Sequence, residues 1–422
     1  MSWCFRLQQR VLINLKTISI AVKSSLKKYT ITAGLHNMRL KQDLQFDPTL
    51  SLTLLLLLVI GLIMVTSSTL FVAEHQYNNA LFFMQRHSIH LCIGSMAFIF
   101  GYFIPTKTIA YGRVAALLFC YVSLLLVLVP GVGLSINGAS RWLHTPYGTI
   151  QPSELVKLGF IIFTASYCAK KKSRQRSLDN FDAFRLAGLL LGVDILLCVQ
   201  PDFGSCIVLS GVVLQMLFVA GLPLLSWLSL ASIAGILATT AALLKPYRLL
   251  RLATFMDPWS VAFSAGYQLT QSLIAIGRGG IWGVGIGNGL QKIFYLPEAH
   301  TDFIFAIICE EFGVIGGSAI IILYVILVVR MLQWSYQFAK NGQEFYALYT
   351  VGIASWIGLQ VCIGSGVNMG LLPTKGLGLP LVSYGGTHLI TVMLSLGVFY
   401  RMLRSEVHSR ALRQNTQRVA FV

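Results

Sequence analysis

The chain has 422 residues, of which 55% are hydrophobic and 11% charged, with a mean hydropathy of +0.72. Soluble domains carry about 25% charged residues, so the composition excludes a soluble globular protein and indicates an integral membrane protein. The formal charge of +17 does not argue for a nucleic-acid partner, because Lys and Arg gather at the ends of apolar runs, where they set topology and meet anionic headgroups.

Residues 1–47 hold eight Lys or Arg against two acids. Val11 to Val22 is interrupted by Lys16 and too short to span a bilayer. It lacks a small-residue cleavage site, which argues against a signal peptide; two readings stay open, an amphipathic helix lying on the membrane and a true start at Met38. From Leu50 ten spans follow, at about 50–72, 87–104, 114–130, 152–169, 186–200, 204–220, 224–243, 302–329, 346–366 and 385–402, each near the length a hydrocarbon core requires. The fifth and sixth meet at a polar elbow, Gln200 to Ser205. Basic residues crowd the N-terminal tail, the segment 170–185 and the tail 401–418. Placing all three in the cytoplasm requires an even number of spans. The expected architecture is an all-α membrane domain of ten helices (48–403) between basic cytoplasmic tails (1–47 and 404–422), with a large periplasmic loop between helices seven and eight.

That loop, Leu244 to Thr301, carries Lys245, Arg248, Arg251, Arg278 and Lys292 against only Asp257 and Glu298. Topology does not call for positive charge there; either a phosphate or pyrophosphate ligand does, since Arg and Lys give such oxygens charge-assisted hydrogen bonds, or the loop crosses regardless of charge and these residues meet lipid headgroups. The run Gly283 to Gly289 follows no strand, so it is no dinucleotide loop; it suggests a re-entrant or interfacial turn. The loop ends in Leu296 to Ala306, LPEAHTDFIFA, which sets Glu298, His300, Thr301 and Asp302 at the mouth of an apolar run. Capping a helix needs one such residue; four at a membrane boundary point to chemistry. Arg141 lies in the loop before span four. Glu154 and Lys157 stand one helical turn apart in span four and can pair, a structural role being the expectation for Glu154. Lys375 sits in the Pro-rich lid 368–386. Glu310, Glu311 and Asp194 fall inside spans, where structural roles are expected. Eight cysteines without a CxxC pair, and eight histidines without HExxH spacing, suggest neither a disulfide framework nor a metal site.

The stretches NGASRWL (137–143), QPSELVKL (151–158), QPDFGS (200–205), DPW with GYQLTQSLIAIG (257–277), QKIFYLPEAHTDFIFA (291–306) and the lid together resemble the FtsW/RodA (SEDS) family of cell-wall polymerases, in matching order from about Asp47 to Met402. LLPTKG (371–376) resembles the cell-division branch rather than the elongation branch. Cys309 stands where glycine is common, and His388 where serine is more usual. The resemblance implies polymerisation of lipid II, an undecaprenyl pyrophosphate-linked disaccharide pentapeptide, into peptidoglycan strands at the outer face of the cytoplasmic membrane at the division septum. It implies Asp302 as the catalytic aspartate, matched by motif; a helix N-terminus near Asp302 should favour its ionised form, the form a base requires. Arg141, Glu154, Lys157, Arg248, Arg251, Lys292, Glu298, His300 and Lys375 are then candidates for substrate binding. The implied partners are a class B penicillin-binding protein transpeptidase and other divisome proteins. The resemblance fixes no cofactor and leaves open a divalent cation (Mg2+ or Mn2+) beside the pyrophosphate. Two rival classes are a lipid II flippase and a scaffold that only recruits the transpeptidase. The polar groups lie nearly all on one side, which suits an enzyme; a scaffold would leave the acid cluster unexplained.

Overall fold

The computed structural model describes residues 47–136, 139–145, 148–174, 176, 178–243 and 246–420. The amphipathic segment, Met38 and Lys245 lie outside them. Helix α1 (Pro48–Tyr77) is followed by α2 (Phe82–Phe103), a short α3 (Thr106–Tyr111) and α4 (Arg113–Leu128). After the sheet described below come α5 (Pro152–Ser173), α6 (Asn180–Val199), α7 (Phe203–Val219) and α8 (Leu224–Leu243). The long loop contains α9 (Pro246–Met256) and α10 (Tyr267–Gly279), before α11 (Ile304–Lys340), α12 (Glu344–Asn368) and α13 (Gly386–Ala420).

A helix thus stands at each position where a span is expected. Among the described residues, α1, α8, α11, α12 and α13 contain stretches long and apolar enough to cross a membrane, and α4 and α7 are shorter apolar helices. Faces that would be anomalous in water support the assignment. Helix α1 buries Leu50, Leu54, Leu57 and Met64 while exposing Leu52, Leu55, Val59 and Ile63, an arrangement that lipid tolerates at no cost.

Several helix starts follow from local chemistry. Pro152 opens α5, where its missing N–H is no loss, and Glu154 lies in the first turn. Asp179 and Asp182 form a reciprocal capping box on α6, with Asp182 N donating to Asp179 Oδ1 at 2.8 Å. Asp202 caps α7 by accepting from Ser205 N at 3.3 Å.

Two features were not expected. The segment between α4 and α5 folds into an antiparallel sheet, β1 (Gly133–Ile136), β2 (Ala139–Thr145) and β3 (Gly148–Ile150), in the order β1-β2-β3. Leu134 faces Trp142 and Leu143 faces Ile150 across it. The second feature is a break in α11 at Gly313, whose φ of 67° and ψ of −166° are not helical. The loop after α10 enters the break: Val284 N donates to Glu310 O, Gly285 N to Glu311 O and Val314 N to Gly280 O, at 2.9–3.0 Å. Irregular backbone at membrane depth survives only when its polar groups are satisfied by protein, and here loop and helix satisfy each other. The approach is too close for side chains. A Cβ on Gly283 would lie 2.2 Å from Glu311 O, and one on Gly313 2.2 Å from Ile281 O.

Helix α12 forms the centre of the bundle, packing against α11, α5 and α7. Tyr349, Trp356 and Ile357 are fully buried there.

Candidate active site

Asp302 lies in a turn just before α11 rather than in the helix. The backbone N–H groups of Thr301, Asp302 and Phe303 all point to Glu298 O at 3.2 Å. Glu298 holds this turn with a φ of 56°, and its exposed carboxylate accepts the Thr301 hydroxyl at 2.7 Å. The N-cap of α11 is Phe303, which makes no side-chain cap. Asp302 is therefore not a cap, and its half-buried carboxylate instead rests against the lid. A Cβ on Gly376 would come within 2.9 Å of Asp302 Oδ2, so only a residue without a side chain leaves this room.

The helix N-terminus was expected to favour the ionised carboxylate. The structure places the balance elsewhere. Burial, reinforced by the Glu298 carboxylate, pushes Asp302 up to about 7, against the pull of Arg251 and Arg141. Burial outweighs the helix end here, where the N–H of Asp302 itself turns to Glu298 O and that of Ala306 to Phe303 O and Asn368 Oδ1.

His300 presents its backbone carbonyl to Tyr384 N at 2.9 Å and its ring to Phe83 and Tyr384, with centroids 5.1 and 5.5 Å away. Burial holds this imidazole below its ordinary value, Glu298 opposing. His300 thereby joins the Asp302 turn to α2 and to the lid.

Four of the expected cations surround the same end of the bundle. Arg141, on β2, donates from Nε to Gln200 O at 3.2 Å and from Nη2 to Pro201 O, which ties the sheet to the α6–α7 elbow. Arg251 donates to Thr374 O of the lid at 3.1 Å. Arg248 and Lys375 lie over the Phe203 ring, 4.7 and 4.4 Å from its centroid. Burial first, then the charges of Arg248 and Arg251, lower Lys375 to about 8, with Asp202 among the groups opposing.

The remaining candidates are held in buried ion pairs. Lys157 Nζ is 2.8 Å from Glu154 Oε1, and His388 Nδ1 is 2.6 Å from Glu154 Oε2. Lys157 also lies over the Trp356 ring at 5.2 Å. Gln360 extends this network to the lid by donating to Gly378 O at 3.1 Å. Lys292 is 2% exposed and donates to Glu311 at 2.5 Å and to Ser67 at 2.8 Å; it secures the re-entrant loop to α11 instead of lining the cation cluster. Arg278 does the same through Glu310 at 2.7 Å. The structural roles expected for Glu310 and Glu311 are these pairs. Among the described residues, no three His, Cys, Asp or Glu side chains gather to hold a metal ion.

Four residues with clear positions here were not singled out from sequence: Phe203, Asn368, Gly376 and His388 in the role of a Glu154 partner. All but Phe203 lie in or beside the 368–386 lid. For Phe203, Asn368 and Gly376 the signal in the sequence was membership of a quoted motif, and for His388 its departure from the usual serine; their partners lie far away along the chain.

A family model for cell cycle proteins of the FtsW/RodA/SpoVE type matches residues 48–408. A probable peptidoglycan glycosyltransferase FtsW of Alcanivorax borkumensis is 41% identical over 367 residues, covering 86% of this chain and 95% of that one. Its counterpart from Coxiella burnetii is 40% identical over 360 residues, covering 85% and 96%. Among solved structures, a chain from a peptidoglycan synthase complex that coordinates polymerization and crosslinking superposes with a TM-score of 0.67, at 27% identity, covering 86% of this chain and 99% of that one. The rod shape determining protein RodA of Thermus thermophilus gives 0.62 at 27% identity, covering 86% and 97%. A match over most of the chain, at about 40% identity to full-length relatives and with the same fold, is decisive: this chain belongs to the FtsW/RodA/SpoVE family of multi-span membrane proteins.

Proposed function

We propose that the protein is the peptidoglycan glycosyltransferase of septal wall synthesis, polymerising lipid II at the outer face of the cytoplasmic membrane. The observation that carries the mechanism is the meeting of a carboxylate poised near neutrality, Asp302, with Arg141, Arg248, Arg251 and Lys375 at one end of the bundle. Asp302 takes the proton from the 4-hydroxyl of the acceptor N-acetylglucosamine as that oxygen attacks the anomeric carbon of the donor N-acetylmuramic acid, with inversion. The C–O bond to the donor's pyrophosphate breaks, and undecaprenyl pyrophosphate leaves with its charge met by the cation cluster. A base near its own pKa at working pH is well matched to this task.

Ten crossings with both tails in the cytoplasm suit this reading, because they bring the site to the outer side, where the substrate's headgroup and the growing strand lie. A divalent cation, where it assists, would help neutralise the pyrophosphate, with Asp302 and Glu298 the carboxylates of this turn that could approach it. A class B penicillin-binding protein and other divisome proteins are the partners this activity calls for. The flippase reading is less well supported: Glu310 and Glu311 are paired with Arg278 and Lys292, and Asp194 accepts from Ser210 at 2.6 Å, so the intramembrane carboxylates serve the helix packing.

The test is Asp302→Asn, with the transpeptidase present. The side chain caps nothing, so the variant should fold and bind lipid II, while polymerisation falls by about 100- to 10,000-fold. Polymerisation at the wild-type rate would refute Asp302 as the base. Movement of lipid II across sealed vesicles by a wild type that makes no polymer would favour the flippase.

A further inference from the structure

We propose that Asn368 is the positioning residue for Asp302, its carboxamide wedged into the start of α11 so that the catalytic turn stays outside the helix. The inference rests on Asp302 being the base.

Asn368 is the last residue of α12 and is 1% exposed. Its Nδ2 donates to Asp302 O at 2.9 Å and to Gly364 O at 2.8 Å, and its Oδ1 accepts from Ala306 N at 3.0 Å. In a continuous helix the N–H of residue 306 would bond the carbonyl of residue 302. Here Ala306 N turns to Phe303 O and Asn368 Oδ1, and Asp302 O receives the Asn368 amide. The side chain therefore replaces one backbone hydrogen bond with two of its own, supplying the missing acceptor to one group and the missing donor to the other. Its own backbone carbonyl accepts the buried Ser272 hydroxyl of α10 at 2.8 Å, which fixes Asn368 to the outer loop.

The chemistry is selective. A neutral planar amide offers donor and acceptor together. An aspartate here would set an ionised oxygen against the carbonyls of Asp302 and Gly364, and a leucine would satisfy none of these groups. Without the wedge, Ala306 N and Asp302 O are free to close on each other. Helix α11 then gains residues at its start, and Asp302 rotates towards the helix N-terminus, away from Gly376. A carboxylate at that position is stabilised in its ionised form and misplaced for attack.

The experiment uses the full chain with its transpeptidase partner and follows lipid II polymerisation against pH, together with lipid II binding. Asn368→Leu should lower the rate by about 100-fold, the scale of a 1 Å misplacement, with binding retained and the acid limb moved to lower pH. A rate and acid limb equal to wild type would overturn the inference, as would a parallel loss of rate and binding with the limb unmoved. Where Asn368→Leu fails to assemble, Ser272→Ala removes only the tie to α10; it should give a smaller loss with the same direction of shift, and an unmoved limb overturns the proposal. If Asp302→Asn is inactive while Asn368→Leu behaves as wild type, the positioning role alone fails. If Asp302→Asn polymerises normally, the base reading has failed and takes this inference with it.

Discussion

Asp302 and Lys375 both change charge near neutral pH, in opposite senses: as pH rises the first becomes charged and the second neutral. Burial keeps a proton on Asp302 up to about 7 and strips one from Lys375 above about 8. Below the first value the base is neutral, so the rate should rise as pH increases through about 7. Above the second the lysine loses its charge, so leaving-group stabilisation should fall. The expected profile of polymerisation rate is therefore a bell with a narrow top. Lys375→Arg separates the limbs, because a guanidinium keeps its charge over this range: the alkaline fall should vanish while the acid limb stays. A variant profile identical to the wild-type bell would exclude Lys375 as the titrating cation. What the sequence showed of these residues depended on distance along the chain. Glu154 and Lys157 are three residues apart on a helix, and their pairing followed from spacing. His388, the other partner of Glu154, is 234 residues away, and no local pattern connects them. Asp302 is harder to ionise than its place at a helix start suggests for a related reason, since the burial that outweighs the helix end involves Gly376 of the lid, far along the chain.

At the scale of elements, the charges of the outer loop divide into two classes that sequence counting had merged. Arg248 and Arg251 belong to α9 and face the lid and elbow. Arg278 and Lys292 flank the re-entrant loop and are bound by adjacent glutamates of α11. Adjacent residues on a helix point in different directions, and the loop passes close enough to use both. The break at Gly313 was hidden in the sequence because Phe303 to Arg330 is apolar on either side of it, with Gly316 and Gly317 equally eligible. Only the loop's backbone, pairing with residues 310–315, marks the place. This arrangement makes Lys292 a stability residue. Lys292→Ala leaves Glu311 buried without its counter-charge, a change that costs about 3–5 kcal/mol. Exchanging both residues for methionine removes the stranded charge and should recover much of the loss. Thermal unfolding of the two variants in detergent decides the matter: equal destabilisation by the single and the double change would show that the loop is held by packing rather than by this ion pair.

Across the whole molecule, segments that alternate along the chain meet at one end. The first turn of α2 meets the Asp302 turn and the lid through Phe83, His300 and Tyr384. The sheet meets the α6–α7 elbow through Arg141, and α9 meets the lid through Arg251. Gln151 N, ahead of α5, donates to Thr387 at the start of α13 at 3.1 Å. Connections that follow odd-numbered spans share one side of a membrane, and these are the ones brought together here. The basic segments 170–185 and 401–418 lie on connections of the other parity, where positive charge is retained in the cytoplasm. Parity, charge and contact support our proposal that the loop from α8 to α11 faces outward. Ser264 and Asn288 are exposed on it. Single cysteines at these positions, in a cysteine-free chain, should react with a membrane-impermeant maleimide in cells whose outer membrane alone has been opened. A cysteine at Gln343, in the turn between α11 and α12, should stay unlabelled until the inner membrane is breached. The reverse pattern would place Asp302 on the cytoplasmic side, where the new strand could not reach the existing wall, and the polymerase mechanism would fall with the topology.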